Sequence, residues 1–178
     1  MRAPATAPQR TEHDLLGERD VPAGAYYGVH TLRAVENFPL TGTPVGVHTA
    51  LVVALACVKQ AAALANRDLG LLDHGRADAI VRACGEIRAG RLHDAFVVDV
   101  LQGGAGTSTN MNANEVIANR ALELLGHPAA TTTNSTRWST STSARAPTTP
   151  TPRPSASRCR PARANCATAS RAWPTRSR

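Results

Sequence analysis

The chain has 178 residues and a formal net charge of +7, a length that suits one domain of ordinary size. Residues 1–130 hold 11 Arg and Lys against 13 Asp and Glu, whereas residues 131–178 hold nine Arg and no acid. The basic excess belongs to the tail, so a nucleic-acid-binding function would have to rest there and not on the rest of the chain.

That tail also contains no Val, Ile, Leu, Met, Phe, Tyr or Gly. It cannot bury enough apolar surface to offset the entropy of ordering its backbone, and disorder is expected. No apolar run approaches the roughly 18 residues of a membrane span, and the N-terminus lacks a secretory pattern. The expectation is a cytoplasmic protein with no membrane partner. Cys57 and Cys84 fall in apolar helical patterns, and Cys159 and Cys166 have no zinc-motif spacing, so four inert thiols are expected. His13, His48, His74, His93 and His127 show no metal-ligand spacing either.

In chain order, residues 1–10 read as a loose Pro/Ala leader. Residues 14–38 mix Gly, Pro and aromatic residues without helical period and predict turns and short extended pieces. Residues 47–69 are Ala-rich and apolar nearly all round, ending at Gly70, which predicts a long buried helix. A second helix starts from an N-cap at Asp73, buries a stripe of Ala77, Ile80, Val81, Cys84 and Ile87, and stops at Gly90. The third follows Asn112 or Asn114, carries Val116, Ile117, Leu122, Leu124 and Leu125, and closes at Gly126. Three such helices are too few to cover one another completely.

Before the third helix, Leu101-Gln102-Gly103-Gly104-Ala105-Gly106 is followed by Thr107, Ser108, Thr109, Asn110 and Asn112. Small residues let the backbone turn tightly and approach a ligand, and the short polar side chains supply donors. With a helix N-terminus behind it, the stretch reads as a carboxylate cradle. The same composition also suits a solvated turn.

Residues 103–116, Gly-Gly-Ala-Gly-Thr-Ser-Thr-Asn-Met-Asn-Ala-Asn-Glu-Val, resemble the first signature region of the aspartase/fumarase superfamily, and within it the aspartate ammonia-lyases. A second block runs from Asp14 to Ala34 and includes Tyr26-Tyr27-Gly28-Val29-His30-Thr31-Leu32-Arg33. Together the two cover roughly residues 11–127; the rest of the chain does not match. The resemblance implies a mainly α fold: the N-terminal domain of a lyase over 11–130, whose intact relatives form homotetramers around a helix bundle.

The implied activity is conversion of L-aspartate to fumarate and ammonia without a cofactor. A fumarate hydratase on the same scaffold is the alternative, and a non-enzymatic nucleic-acid binder using the tail is a third reading. No specific nucleic-acid partner is expected. Fumarases usually show Gln-Thr near the first block and Ser-Gly-Thr-Gln-Ser in the second, which this chain does not. By resemblance Thr107, Ser108 and Asn110 contact the dicarboxylate, and Gly103, Gly104 and Gly106 shape the loop. His30, Thr31 and Arg33 lie near substrate, with Arg33 the best candidate for a bidentate carboxylate contact. A helix cap is as good a reading as ligand contact for Asn112 and Asn114. Tyr26 and Tyr27 read as packing. The family's catalytic serine, on a flexible Gly-Ser-Ser loop, has no counterpart in these residues, and its active sites each draw on three subunits. The expectation is therefore an inactive, poorly folded chain.

Near residue 128 the family continues with segments this chain lacks. Translated one base out of register through GC-rich codons, the family's Gln-Ser-Thr-Asn-Asp-Thr-Tyr-Pro-Thr becomes Arg-Ala-Pro-Thr-Thr-Pro-Thr-Pro-Arg, the string at Arg145 to Arg153. The tail is thus expected to be the family's next region read in another frame. DNA sequence across codons 128–131 tests this, and an intact single-frame gene overturns it.

Overall fold

The computed structural model describes residues 8–127; the tail, Cys159, Cys166 and most of the leader lie outside them. The chain opens with an antiparallel hairpin of β1 (Gln9–Asp14) and β2 (Gly17–Pro22), in which Gln9 pairs with Pro22 and Asp14 with Gly17. Four helices follow: α1 (Val29–Asn37), α2 (Thr49–Asp68), α3 (His74–Arg88) and α4 (Thr107–Leu124). The mainly α class expected from the sequence is what the chain adopts.

The turn before β2 and β2 itself bear out the reading of turns and short extended pieces from residue 14, α1 corrects it over 29–37, and β1 takes Gln9 and Arg10 out of the loose leader. The hairpin turn is closed by a side chain, with the Leu16 N–H donating to Asp14 Oδ1 at 2.8 Å. α1 has only nine residues, too short to hold itself as a helix in water. It is held by tertiary contacts that no periodicity announces.

α3 starts as expected: Asp73 is the N-cap and accepts from the Arg76 N–H at 3.3 Å. Its Ala77, Ile80, Ala83, Cys84 and Ile87 are buried against Val52, Ala56 and Ala63 of α2 and Val116, Ile117 and Leu122 of α4. Burial pushes the Cys84 thiol up to about 12, so it stays protonated at neutral pH. An ion pair clasps α3 to α4, with Arg120 Nε and Nη2 donating to the two oxygens of Glu86 at 2.7 and 2.9 Å.

α2 corrects two expectations. It is not a buried helix: Leu51 and Val58 are exposed, and only 22% of its most apolar window is buried. With 20 residues and a mean hydropathy of 1.5 it is also long and apolar enough to cross a bilayer. The unbroken apolar run sought in the sequence is interrupted by Lys59 and Gln60, but alanines raise the average.

Residues 95–100 lead toward the cradle and are fastened to residues 41–46. Val45 N–H donates to the Val98 carbonyl at 2.8 Å and Gly46 N–H to that of Phe96 at 2.9 Å. Any side chain at Gly46 would put its Cβ 2.3 Å from the His93 carbonyl. Asp99 completes the fastening by accepting from the N–H groups of Thr41, Gly42 and Leu101 and from the Thr41 hydroxyl, all at 2.7–2.8 Å. Burial pushes its carboxyl up, but these hydrogen bonds prevail and hold it at about 2, below the ordinary 3.8.

A depressed acid stabilises the fold above its unfolded pKa and loses that contribution as pH falls through the folded one. Between pH 4 and 2 the wild type should therefore lose stability more steeply than Asp99→Asn, as read from urea midpoints. Parallel curves would show that Asp99 is not held in this way.

Candidate dicarboxylate site

The cradle is a single 3₁₀ turn, Gly104–Gly106, running directly into α4. The sequence placed the helix start at Asn112 or Asn114; the structure places it at Thr107. Thr, Ser and Asn are weak helix formers read locally as loop, and the packing of α4 on α3 and α1 overrides that preference. Asn112 and Asn114 are therefore not caps. Both are buried, with Asn112 Nδ2 donating to the Ala95 carbonyl at 3.0 Å and Asn114 Nδ2 to Met111 Sδ at 3.9 Å.

The turn needs small residues for specific reasons. Gly106 has φ +79°, and a Cβ at Gly103 would lie 3.0 Å from the Phe38 ring. Gly104 begins the turn, and Ala105 adopts φ 55° and ψ 34°, a left-handed conformation an alanine holds only under constraint. Gly106 offers α4 no side-chain cap, so the first-turn N–H groups and helix dipole lie beside Thr107 and Ser108. A first turn of short polar side chains, Thr107 to Asn110, with no acid among them makes this end of α4 suited to an anion.

Asn110 is anchored from α2. Lys59, the only lysine in the chain, is 4% exposed and donates from Nζ to Asn110 Oδ1 at 2.6 Å. Burial lowers its pKa from the usual lysine value. Sequence reading missed it, although a lone lysine in the middle of an apolar helix was a visible signal.

Glu115 is the second residue missed. It is 6% exposed and accepts from the backbone N–H groups of Gly28 (2.9 Å), His30 (3.0 Å) and Thr31 (3.1 Å) at the start of α1. Glu12 accepts from the next one, Val29, at 2.8 Å. Two carboxylates thus do the capping that Gly28 cannot. A Cβ at Gly28 would lie 2.8 Å from Glu12 Oε2 and 2.9 Å from Glu115 Oε1, so glycine is what admits both. Burial pushes the Glu115 carboxyl up, and the hydrogen bonds around it oppose that rise.

His30 and Thr31 meet α4 through this carboxylate, about 12 Å along the helix from Thr107 at ~1.5 Å per residue. The Thr31 hydroxyl is buried beside it, off hydrogen-bonding geometry and without a partner among the described residues. Arg33 is engaged within the chain. Its Nε and Nη2 donate to Asp14 Oδ2 and Oδ1 at 2.8 and 2.9 Å, and Nη2 also reaches the Gly17 carbonyl. The fork that was to hold substrate is occupied by a carboxylate of the hairpin, and that pairing holds the Asp14 carboxyl below its ordinary range. Tyr26 is structural: its hydroxyl donates to Glu123 at 2.8 Å and its carbonyl accepts from Asn119.

A family model described as "Lyase" matches residues 17–146. The chain belongs to that family. The match continues past the end of the resemblance at 127, into residues outside those described. Aspartate ammonia-lyase of Pseudomonas canavaninivorans is 62% identical over 118 residues, covering 66% of this chain and 25% of that protein. Fumarate hydratase class II of Halobacterium salinarum is 63% identical over 117 residues, covering 66% and 24%. In structure the chain is similar to a Brucella melitensis protein described as fumarate lyase:delta crystallin, with TM-score 0.70, 57% identity, and coverage of 71% of this chain and 30% of that one. The chain thus spans about a quarter of the length of the curated relatives it matches, and those relatives carry both ammonia-lyase and hydratase names.

Proposed function

We propose that this member of the lyase family carries one carboxylate-binding region of an ammonia-lyase acting on L-aspartate. The observation that supports it best is the uncapped start of α4, where Thr107, Ser108 and Asn110 follow the left-handed Gly106. Elimination of ammonia from aspartate develops a second negative charge on a carboxylate next to the carbon losing its proton, and fixed N–H and O–H donors stabilise it. The Gly-Gly-Ala-Gly-Thr-Ser-Thr string favours aspartate over malate by its resemblance to the ammonia-lyases. Assembly as a homotetramer and a cytoplasmic location belong to the same proposal.

The test is a backbone amide titration of the 178-residue chain by NMR with L-aspartate, fumarate and L-malate. Saturable shifts at residues 106–110 with L-aspartate and fumarate are expected. Amides unmoved by all three would remove the site, and a response to fumarate and malate alone would transfer the chain to the hydratase reading.

A further inference from the structure

We infer that Lys59 is a positioning residue that fixes which end of the Asn110 carboxamide faces outward, and so makes this position a hydrogen-bond donor for acceptor-only groups such as carboxylates. The inference rests on the dicarboxylate reading above and adds to it a specificity determinant from a different helix.

The chemistry of the contact decides the orientation. A carboxamide has one end that donates and one that accepts, and the two are nearly isosteric. An ammonium only donates. At 2.6 Å from the carboxamide it can face Oδ1 and cannot face Nδ2. Lys59 is buried on α2, so it cannot swing into water to release the amide without opening the packing around it. With Oδ1 held from α2, Nδ2 is directed away, and among the described residues it has no acceptor. Asn110 is half-buried rather than enclosed, so those two N–H groups remain available to a ligand. They lie in the first turn of α4, adding donors to a helix end whose dipole already favours anions.

The cost of enclosing the ammonium points the same way. Methionine would fill the same volume without desolvating a charge, and a buried charge with one good acceptor is a poor source of stability. What the lysine provides that methionine cannot is the fixed amide.

Because the chain has one lysine, selective 13C labelling gives a single lysine Cε signal. In the first measurement, pH titration of that signal compares wild type with Asn110→Ala and Asn110→Asp. The midpoint should fall in Asn110→Ala, which removes the acceptor, and rise in Asn110→Asp, which supplies a charged one. A midpoint indifferent to both would overturn the proposal, whatever the chain binds.

The second measurement is succinate binding by Lys59→Met, Asn110→Ala, Asn110→Asp and the Lys59→Met/Asn110→Ala pair. If Lys59 acts through the amide, each single change weakens succinate about tenfold and the pair no more than either alone. Asn110→Asp, which keeps the lysine satisfied but has no outward donor, should lose binding as fully. Additive losses, or Asn110→Asp binding like wild type, would overturn it. Failure of the wild type to bind succinate would sink the dicarboxylate reading and leave the first measurement to decide the pinning. If Lys59→Met does not fold, the two Asn110 variants carry both tests.

Discussion

Glu115→Ala should cost about 3–5 kcal/mol, the range for removing one partner of a buried charged contact. The carboxylate accepts from three backbone N–H groups at the start of α1, two of them in fully buried bonds, and alanine leaves them unpaired in a site too enclosed for water to replace it. Each orphaned buried donor costs on the order of 1–3 kcal/mol, although neighbouring losses do not simply add. Against a total domain stability of about 5–15 kcal/mol this is a large share.

The effect should also be localised. Amide hydrogen exchange at residues 28–37 should accelerate well before α2 and α3 respond, because Glu115 ties the first N–H groups of α1 to the helix bearing Thr107. Glu115→Gln retains one acceptor and should lose less. A Glu115→Ala chain within 1 kcal/mol of wild type in urea unfolding would show that α1 is held by something else.

The helices that could be read in advance are those whose order is local. α2 and α3 announce themselves by composition and spacing, and Asp73 marks its own cap. α4 was found but started too late, because Thr107 to Asn110 carry no apolar period and their helical state is imposed by packing. The strand pairing and α1 were missed for the same reason at larger scale: what holds residues 9–37 is Arg10, Glu12 and Asp14 meeting partners 15 to 19 residues away.

The candidate site divides along the same line. Thr107, Ser108 and Asn110 are contiguous, and the motif that contains them was visible. Lys59 lies 51 residues from its partner and Glu115 lies 87 from Gly28, and neither separation leaves a pattern in the string. Arg33 is the converse case. A resemblance can place a residue near a site, but the nearest carboxylate in the fold, Asp14, claims the guanidinium.

Arg10→Ala should be as damaging as Glu115→Ala, at about 3–5 kcal/mol, although the position sits at the edge of what reads as a loose leader. Its guanidinium uses all three nitrogens: Nε to Glu12 Oε1 at 2.9 Å, Nη1 to the carbonyls of Pro22, Ala23 and Ala25, and Nη2 to that of Tyr27 at 2.7 Å. Three carbonyls of the segment between β2 and α1, and that of Pro22 at the end of β2, therefore converge on one planar group. That segment has no helix or sheet of its own to satisfy them. The loss also propagates, because Glu12 is the acceptor for the Val29 N–H and loses the cation that fixes it. Arg10→Lys keeps the charge but offers a point donor instead of a fork, so it should recover less than half of the loss. The check is the urea midpoint of both variants together with the amide signals of residues 23–31, which should shift in Arg10→Ala while those of α3 stay in place. An Arg10→Ala chain within ~0.5 kcal/mol of wild type, the usual cost of a surface change, would mean that residues 22–27 hold their course without it.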